Sequence, residues 1–172
     1  MTRATVGSKR IERSFASAAK GERIALVPYV VAGYPDLRTS EAVALAALDA
    51  GADLLEIGLP YSDPLADGVT LQRASSAALA GGQTLDSSLE LISLIAAARP
   101  SNPLLVMGYA NQFLGSRGAD TIATRLAEAG ASGAIVADLT PEEGKPLEET
   151  FGDAGLALVY LVAPTSSPER IE

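Results

Sequence analysis

Histidine and cysteine are absent from the 172-residue chain, and lysine occurs only at Lys9, Lys20 and Lys145. Without His, Ser-His-Asp and Cys-His catalysis are excluded, and the commonest transition-metal ligand is missing, so no metal site is expected. Without Cys there is neither a disulfide framework nor thiol chemistry, a composition compatible with the cytoplasm. None of the lysines lies in an apolar strand-like run, which argues against a buried Schiff-base lysine. Aromatics make up 5% of the chain and the net charge is −8, so nucleic acid is not an expected partner. Every hydrophobic run is broken by Gly, Pro or a charge short of a bilayer span, so no membrane helix is expected. Residues 1–13 are polar and basic and lack the apolar stretch of a secretory signal. Acid/base chemistry is thus left to Asp, Glu and Tyr.

What the chain does have is apolar content, 48% against 20% charged, enough for one domain over residues 1–172. A short amphipathic helix is expected over Ser8–Lys20, capped by Ser8. Strands are expected at Ile24–Val31, Leu54–Gly58, Pro103–Met107, Ala134–Val136 and Leu156–Val162. Their continuous apolarity suits strands covered on both faces, as in parallel sheets. Helices are expected from Thr39 or Ser40 to Ala50, Leu71–Ala80, Leu85–Ala98, Ala119–Ala129, and from Pro141 to Asp153, with Tyr109–Gly118 as a loop. The pair Ala-Gly recurs at Ala50-Gly51, Ala129-Gly130 and Ala154-Gly155, each time before an apolar run. This is the helix-to-strand turn of a repeated βα unit, and right-handed crossovers then give a parallel sheet. The fold class is α/β with about five βα units. Ser167-Pro168-Glu169-Arg170 reads as one more helix start just before the end. A truncated (β/α)8 barrel is therefore favoured over a complete doubly wound domain.

The chemistry concentrates in Leu54–Gly68 (LLEIGLPYSDPLADG). Glu56 stands inside a strand-like run, where a carboxyl is costly unless paired or used. Strand alternation puts Leu54, Glu56 and Gly58 on one face, Gly58 leaving room above the acid. The loop beyond carries Asp63 and Asp67. In a parallel α/β fold the strand C-termini share one rim, which would collect Glu56, Asp63, Asp67, Tyr109, Asn111, Asp138 and Thr165. Taken singly, each has a plainer reading. Glu56 suits an ion pair with an arginine, Asp67-Gly68 an ordinary turn, and Asp138 the cap of the helix at Pro141. Tyr29 and Tyr109, near strand ends, read as pocket walls or as rim packing. No glycine-rich phosphate cradle is evident.

The segments PYVVAGYPD (28–36), DLLEIGLPYSDPLADG (53–68), MGYANQF (107–113), VADLTPEE (136–143) and LVAPTS (161–166) resemble, in order and spacing, the tryptophan synthase alpha chain family. The resemblance starts near Arg10 and covers the first five-eighths of a (β/α)8 barrel. It implies a lyase of tryptophan biosynthesis, which cleaves indole-3-glycerol phosphate to indole and glyceraldehyde 3-phosphate by a retro-aldol reaction. It assigns Glu56 as proton shuttle and Asp67 as the second acid, with Tyr29, Tyr109, Ala137 and Leu161 lining the indole pocket. It implies a heterotetramer with a beta chain, which Asp63 and Pro64 would face. PLP would belong to that beta chain, so no cofactor is assigned here. The chain departs from the family at Val31, Tyr34, Val69 and Gln112, the last standing where Pro is common. The family's later phosphate loops are not in the sequence. An alternative expectation is therefore a catalytically inactive half-barrel that serves only in binding or assembly.

Overall fold

The computed structural model describes residues 5–115 and 118–168. Five parallel strands alternate with helices along the chain. They are α1 (Val6–Lys20), β1 (Tyr29–Val31), α2 (Leu37–Asp49), β2 (Leu55–Gly58), α3 (Val69–Ala80) and α4 (Leu85–Ala98). After these come β3 (Leu104–Gly108), α5 (Ala110–Leu114), α6 (Ala119–Glu128), β4 (Gly133–Val136), α7 (Pro141–Asp153) and β5 (Ala157–Val159). The strand order is β1-β2-β3-β4-β5, each pair parallel. A doubly wound sheet reverses its strand order at a switch point, and this one does not. The consecutive order is that of a barrel wall.

The two faces of the sheet are both apolar but differ in what covers them. Outward residues Leu55, Ile57, Leu104, Val106, Ala134 and Val136 are buried in one core with α2, α4, α6 and α7. Inward residues Leu54, Leu105 and Ile135 form a second cluster, against which Ile11 of α1 packs. Helix α1 thus closes the end of the sheet from which the strands start. The Gly7 amide donates to the Gly155 carbonyl at 2.8 Å, and Arg10 donates to the carbonyls of Pro100 and Asn102.

Most of the punctuation lies where the sequence puts it. Ala50, Ala129 and Ala154 are helix C-caps, and Gly51, Gly130 and Gly155 follow at φ 103°, 88° and 81°, left-handed values that a side chain resists. Three caps differ. Helix α1 is capped by Thr5, with Ser8 as the reciprocal partner of its capping box rather than the cap. Helix α2 is capped by Asp36, which accepts from the Thr39 amide, so that helix begins earlier than Thr39. Helix α4 has Thr84 as its cap, paired reciprocally with Ser87.

The outer strands are shorter than the apolar runs that encode them. In the run Ile24–Val31, Pro28 has no N–H, and the paired ladder covers only Tyr29–Val31. The preceding carbonyls of Leu26 and Pro28 still accept from Asp53 and Glu56, each at 2.9 Å. At the other margin Leu161 and Val162 lie beyond β5 and are exposed. The Tyr109–Gly118 segment contains the short helix α5 instead of being loop throughout. Phe113 holds it down, fully buried and edge-on to Phe151 of α7 at 5.9 Å. The expected helical start over 167–170 runs outside the described residues.

One ion pair, between the exposed Arg23 and the buried Asp53, fixes the link from α1 to β1. The Asp53 carboxylate accepts both guanidinium arms of Arg23 at 2.6 Å and the Leu26 amide at 2.9 Å. The Arg23 contact and the amide hold its pKa down at about 2. The folded carboxylate therefore stays ionised below the pH at which the unfolded one protonates. Its stabilisation is complete above the ordinary Asp value and is lost as pH falls from about 4 to about 2. Asp53→Asn is expected to lower the denaturant midpoint at pH 6. The gap between the two proteins should narrow below pH 3. An unchanged gap there would contradict the assignment.

Candidate active site

Strand β2 carries the site. Leu55 and Ile57 are wholly buried outward, so Glu56 points inward, beside Tyr29 of β1 and Leu105 of β3. On that face it follows Leu54 and stands level with Leu105, two members of the inward apolar cluster, and it is half-buried. That burial pushes its pKa above the ordinary glutamate value.

Gly58, next on the same face, does not leave open space. The Tyr29 ring fills it, and a Cβ at Gly58 would collide with the Tyr29 hydroxyl. The phenol is pushed up to about 12, first by burial, then by the charges of Asp67 and Glu56 and by Tyr109. Tyr29 therefore feels both acids. Tyr109, at the end of β3, is buried and its ionisation is pushed up by the same cause. Its hydroxyl accepts from the Ala66 amide at 2.9 Å and also meets the Asp67 carboxylate.

Asp67 itself is half-buried in the loop after β2. Its amide donates to the Pro64 carbonyl at 3.1 Å, and its own carbonyl accepts from Gln72 of α3 at 3.0 Å. Four of the expected residues, Tyr29, Glu56, Asp67 and Tyr109, thus meet on the inward side of the strand ends. Asp63 and Pro64 lie on the outer part of the loop, Asp63 exposed, beside Leu65, which is 86% exposed. Ala137 follows β4, half-buried, with its amide on the Gly108 carbonyl. Leu161 stands beyond β5 on the open side of the sheet, exposed rather than walled in. Thr165 is likewise exposed.

The remaining rim residues are structural. Asp138 accepts from the Ala110 amide at 2.7 Å and so caps α5, whereas Thr140 caps the helix at Pro141. Asn111 donates to the Tyr61 hydroxyl at 3.3 Å. Sequence reasoning passed over Tyr61, whose ring stacks on Tyr109 at 5.1 Å, and gave Gln112 no role. The available signal was a second tyrosine in the loop opposite Tyr109. A half-open cavity of about 150 Å³ lies nearby, lined by Leu59, Pro60, Leu79, Leu85 and Gln112 among others. None of the expected substrate residues lines it.

A sequence profile of the tryptophan synthase alpha chain matches residues 15–172. The chain belongs to the tryptophan synthase alpha chain family. It is 47% identical over 163 residues to the tryptophan synthase alpha chain of Gloeobacter violaceus, and 41% identical over 162 residues to that of Caulobacter vibrioides. In each case 94% of this chain is covered, and it spans 58% of the relative's length. Among solved structures, the aminoacrylate-bound tryptophan synthase of M. tuberculosis superposes with a TM-score of 0.88 at 39% identity, over 94% of this chain and 65% of the other. A protein from Aquifex aeolicus gives 0.90 at 39% identity, over 94% and 63%. The fold is thus the first five βα units of the family's barrel.

Two measurements test the packing of this site. Gly58→Ala must displace Tyr29 and is expected to lower stability by about 1–3 kcal/mol. Spectrophotometric titration, with Tyr29→Phe to identify the phenol, should place Tyr29 near pH 12. Asp67→Asn should bring that value down. A Tyr29 that ionises near pH 10 would contradict the arrangement.

Proposed function

We propose that the chain carries the alpha-chain reaction of tryptophan synthase, the retro-aldol cleavage of indole-3-glycerol phosphate to indole and glyceraldehyde 3-phosphate. The observation that carries the reading is the inward Glu56 carboxyl, half-desolvated beside Tyr29 at the strand ends. Cleavage needs one group that takes a proton from the glycerol hydroxyl and returns one to the indole ring carbon. The carbon–carbon bond electrons then flow into the ring and the hydroxyl carbon becomes the aldehyde. A carboxyl with a raised pKa is matched to both transfers. Asp67 supports charge at the indole nitrogen from the facing loop. Tyr29 and Tyr109 supply flat apolar walls, with Ala137 and Leu161 completing the pocket.

Residues 1–172 then act as one domain, the N-terminal portion of the barrel. The Asp63–Pro64 loop, with Leu65 exposed beside it, faces a tryptophan synthase beta chain in a heterotetramer. That partner brings its own PLP, and no cofactor is assigned to this chain. The setting is cytoplasmic tryptophan biosynthesis. Among the described residues no helix is long and apolar enough to cross a membrane.

The test is indole release from indole-3-glycerol phosphate, with Glu56→Gln as control. Glutamine keeps the size but cannot carry the proton, so release is expected to fall by about 10²–10⁴-fold. Equal release from both proteins would overturn the role of Glu56.

A further inference from the structure

Gln112 uses both ends of its amide on the loops that build the site. Its Oε1 accepts from the Tyr109 amide at 3.0 Å, and its Nε2 donates to the Pro60 carbonyl at 3.1 Å. The first bond is ordinary capping of α5. The second leaves the helix and crosses to the first residue after Leu59, where the acidic loop begins. The far end of that loop is held from the same turn, because Tyr109 accepts from the Ala66 amide at 2.9 Å. The loop from Pro60 to Ala66 is therefore pinned at both ends by two residues three apart, which are themselves joined. Two packing features keep this clamp in register. Gly108 brings the backbone close under Gln112, where a Cβ would stand 2.8 Å from Oε1. Phe113, the next residue, is fully buried and anchors the turn.

We propose that Gln112 is a positioning residue, which sets the place of Asp67 by clamping both ends of the β2–α3 loop through Pro60 and Tyr109. Its link to turnover rests on the reading of Asp67 above, but the clamp itself does not. Proline at this position could occupy the first turn of α5 but could make neither bond, since its side chain carries no acceptor for the Tyr109 amide and no donor for Pro60.

Two variants test it. Gln112→Leu removes both bonds at similar size. Gln112→Glu keeps the acceptor for the Tyr109 amide but sets a carboxylate against the Pro60 carbonyl. Amide exchange at Ala66 is read by NMR, and the near-ultraviolet dichroism, free of Trp, reports the tyrosines, with Tyr61→Phe to assign the share of the Tyr61–Tyr109 stack. Far-ultraviolet dichroism checks that each variant is folded. Exchange at Ala66 is expected to rise about tenfold in both variants, the equivalent of one lost hydrogen bond. The tyrosine dichroism should weaken alongside it. In an active parent, kcat should fall by a similar factor with little change in KM, because Asp67 acts on developing charge. Unchanged exchange and dichroism in a folded variant would overturn the clamp. Faster exchange with unchanged kcat would overturn its link to Asp67. Should the parent release no indole, only the reading of the activity fails, and the exchange result still decides the clamp.

Discussion

The outward burial of Leu55 and Ile57 is the constraint on which the rest depends. Both are sealed against the outer helices, so β2 cannot slip by one residue without turning its apolar side chains inward and Glu56 into the core. Register is thereby fixed, and with it the position of one carboxyl beside the inward apolar cluster. The cost of that placement is what raises the proton affinity of Glu56. Stability and chemistry are two consequences of the same alternation.

Around that fixed point the site is assembled from neighbouring strand ends. Strand β1 supplies Tyr29, which closes over Gly58; strand β3 supplies Tyr109, which reaches across to the loop after β2. Burial pushes the ionisation of both phenols further up, so the two tyrosines meet the acids as neutral groups. The Tyr29 ring fills the space over Gly58, and Tyr109 holds the Ala66 amide of the loop after β2. A parallel sheet makes this possible, since every strand delivers its final residue to the same rim.

Much of this was legible in the sequence because it depends on local rules. The LLEIG alternation, the Ala-Gly turns and the Pro141 start all report backbone requirements that neighbours do not override. The elements that escaped were those decided by distant partners. Helix α5 is too short for periodicity to reveal, and exists because Phe113 finds Phe151. The edge strands are shortened by a missing N–H at Pro28 and by exposure beyond Val159, which apolar content alone does not encode. Asp138 caps the helix after β3 rather than the one that follows it in sequence, a choice made by packing. The space above Glu56 was filled by a tyrosine from another strand, which no reading of one strand would show.

The central claim is that β2 presents a carboxyl tuned by burial. The most direct measurement is the titration of the Glu56 side-chain carboxyl by ¹³C NMR, with Glu56→Gln to assign the signal. The account requires a midpoint above the ordinary glutamate value of about 4.3, moving down when the apolar neighbour beside it is cut back by Leu105→Ala. A midpoint at or below the ordinary value would show a solvated or ion-paired acid and would contradict it.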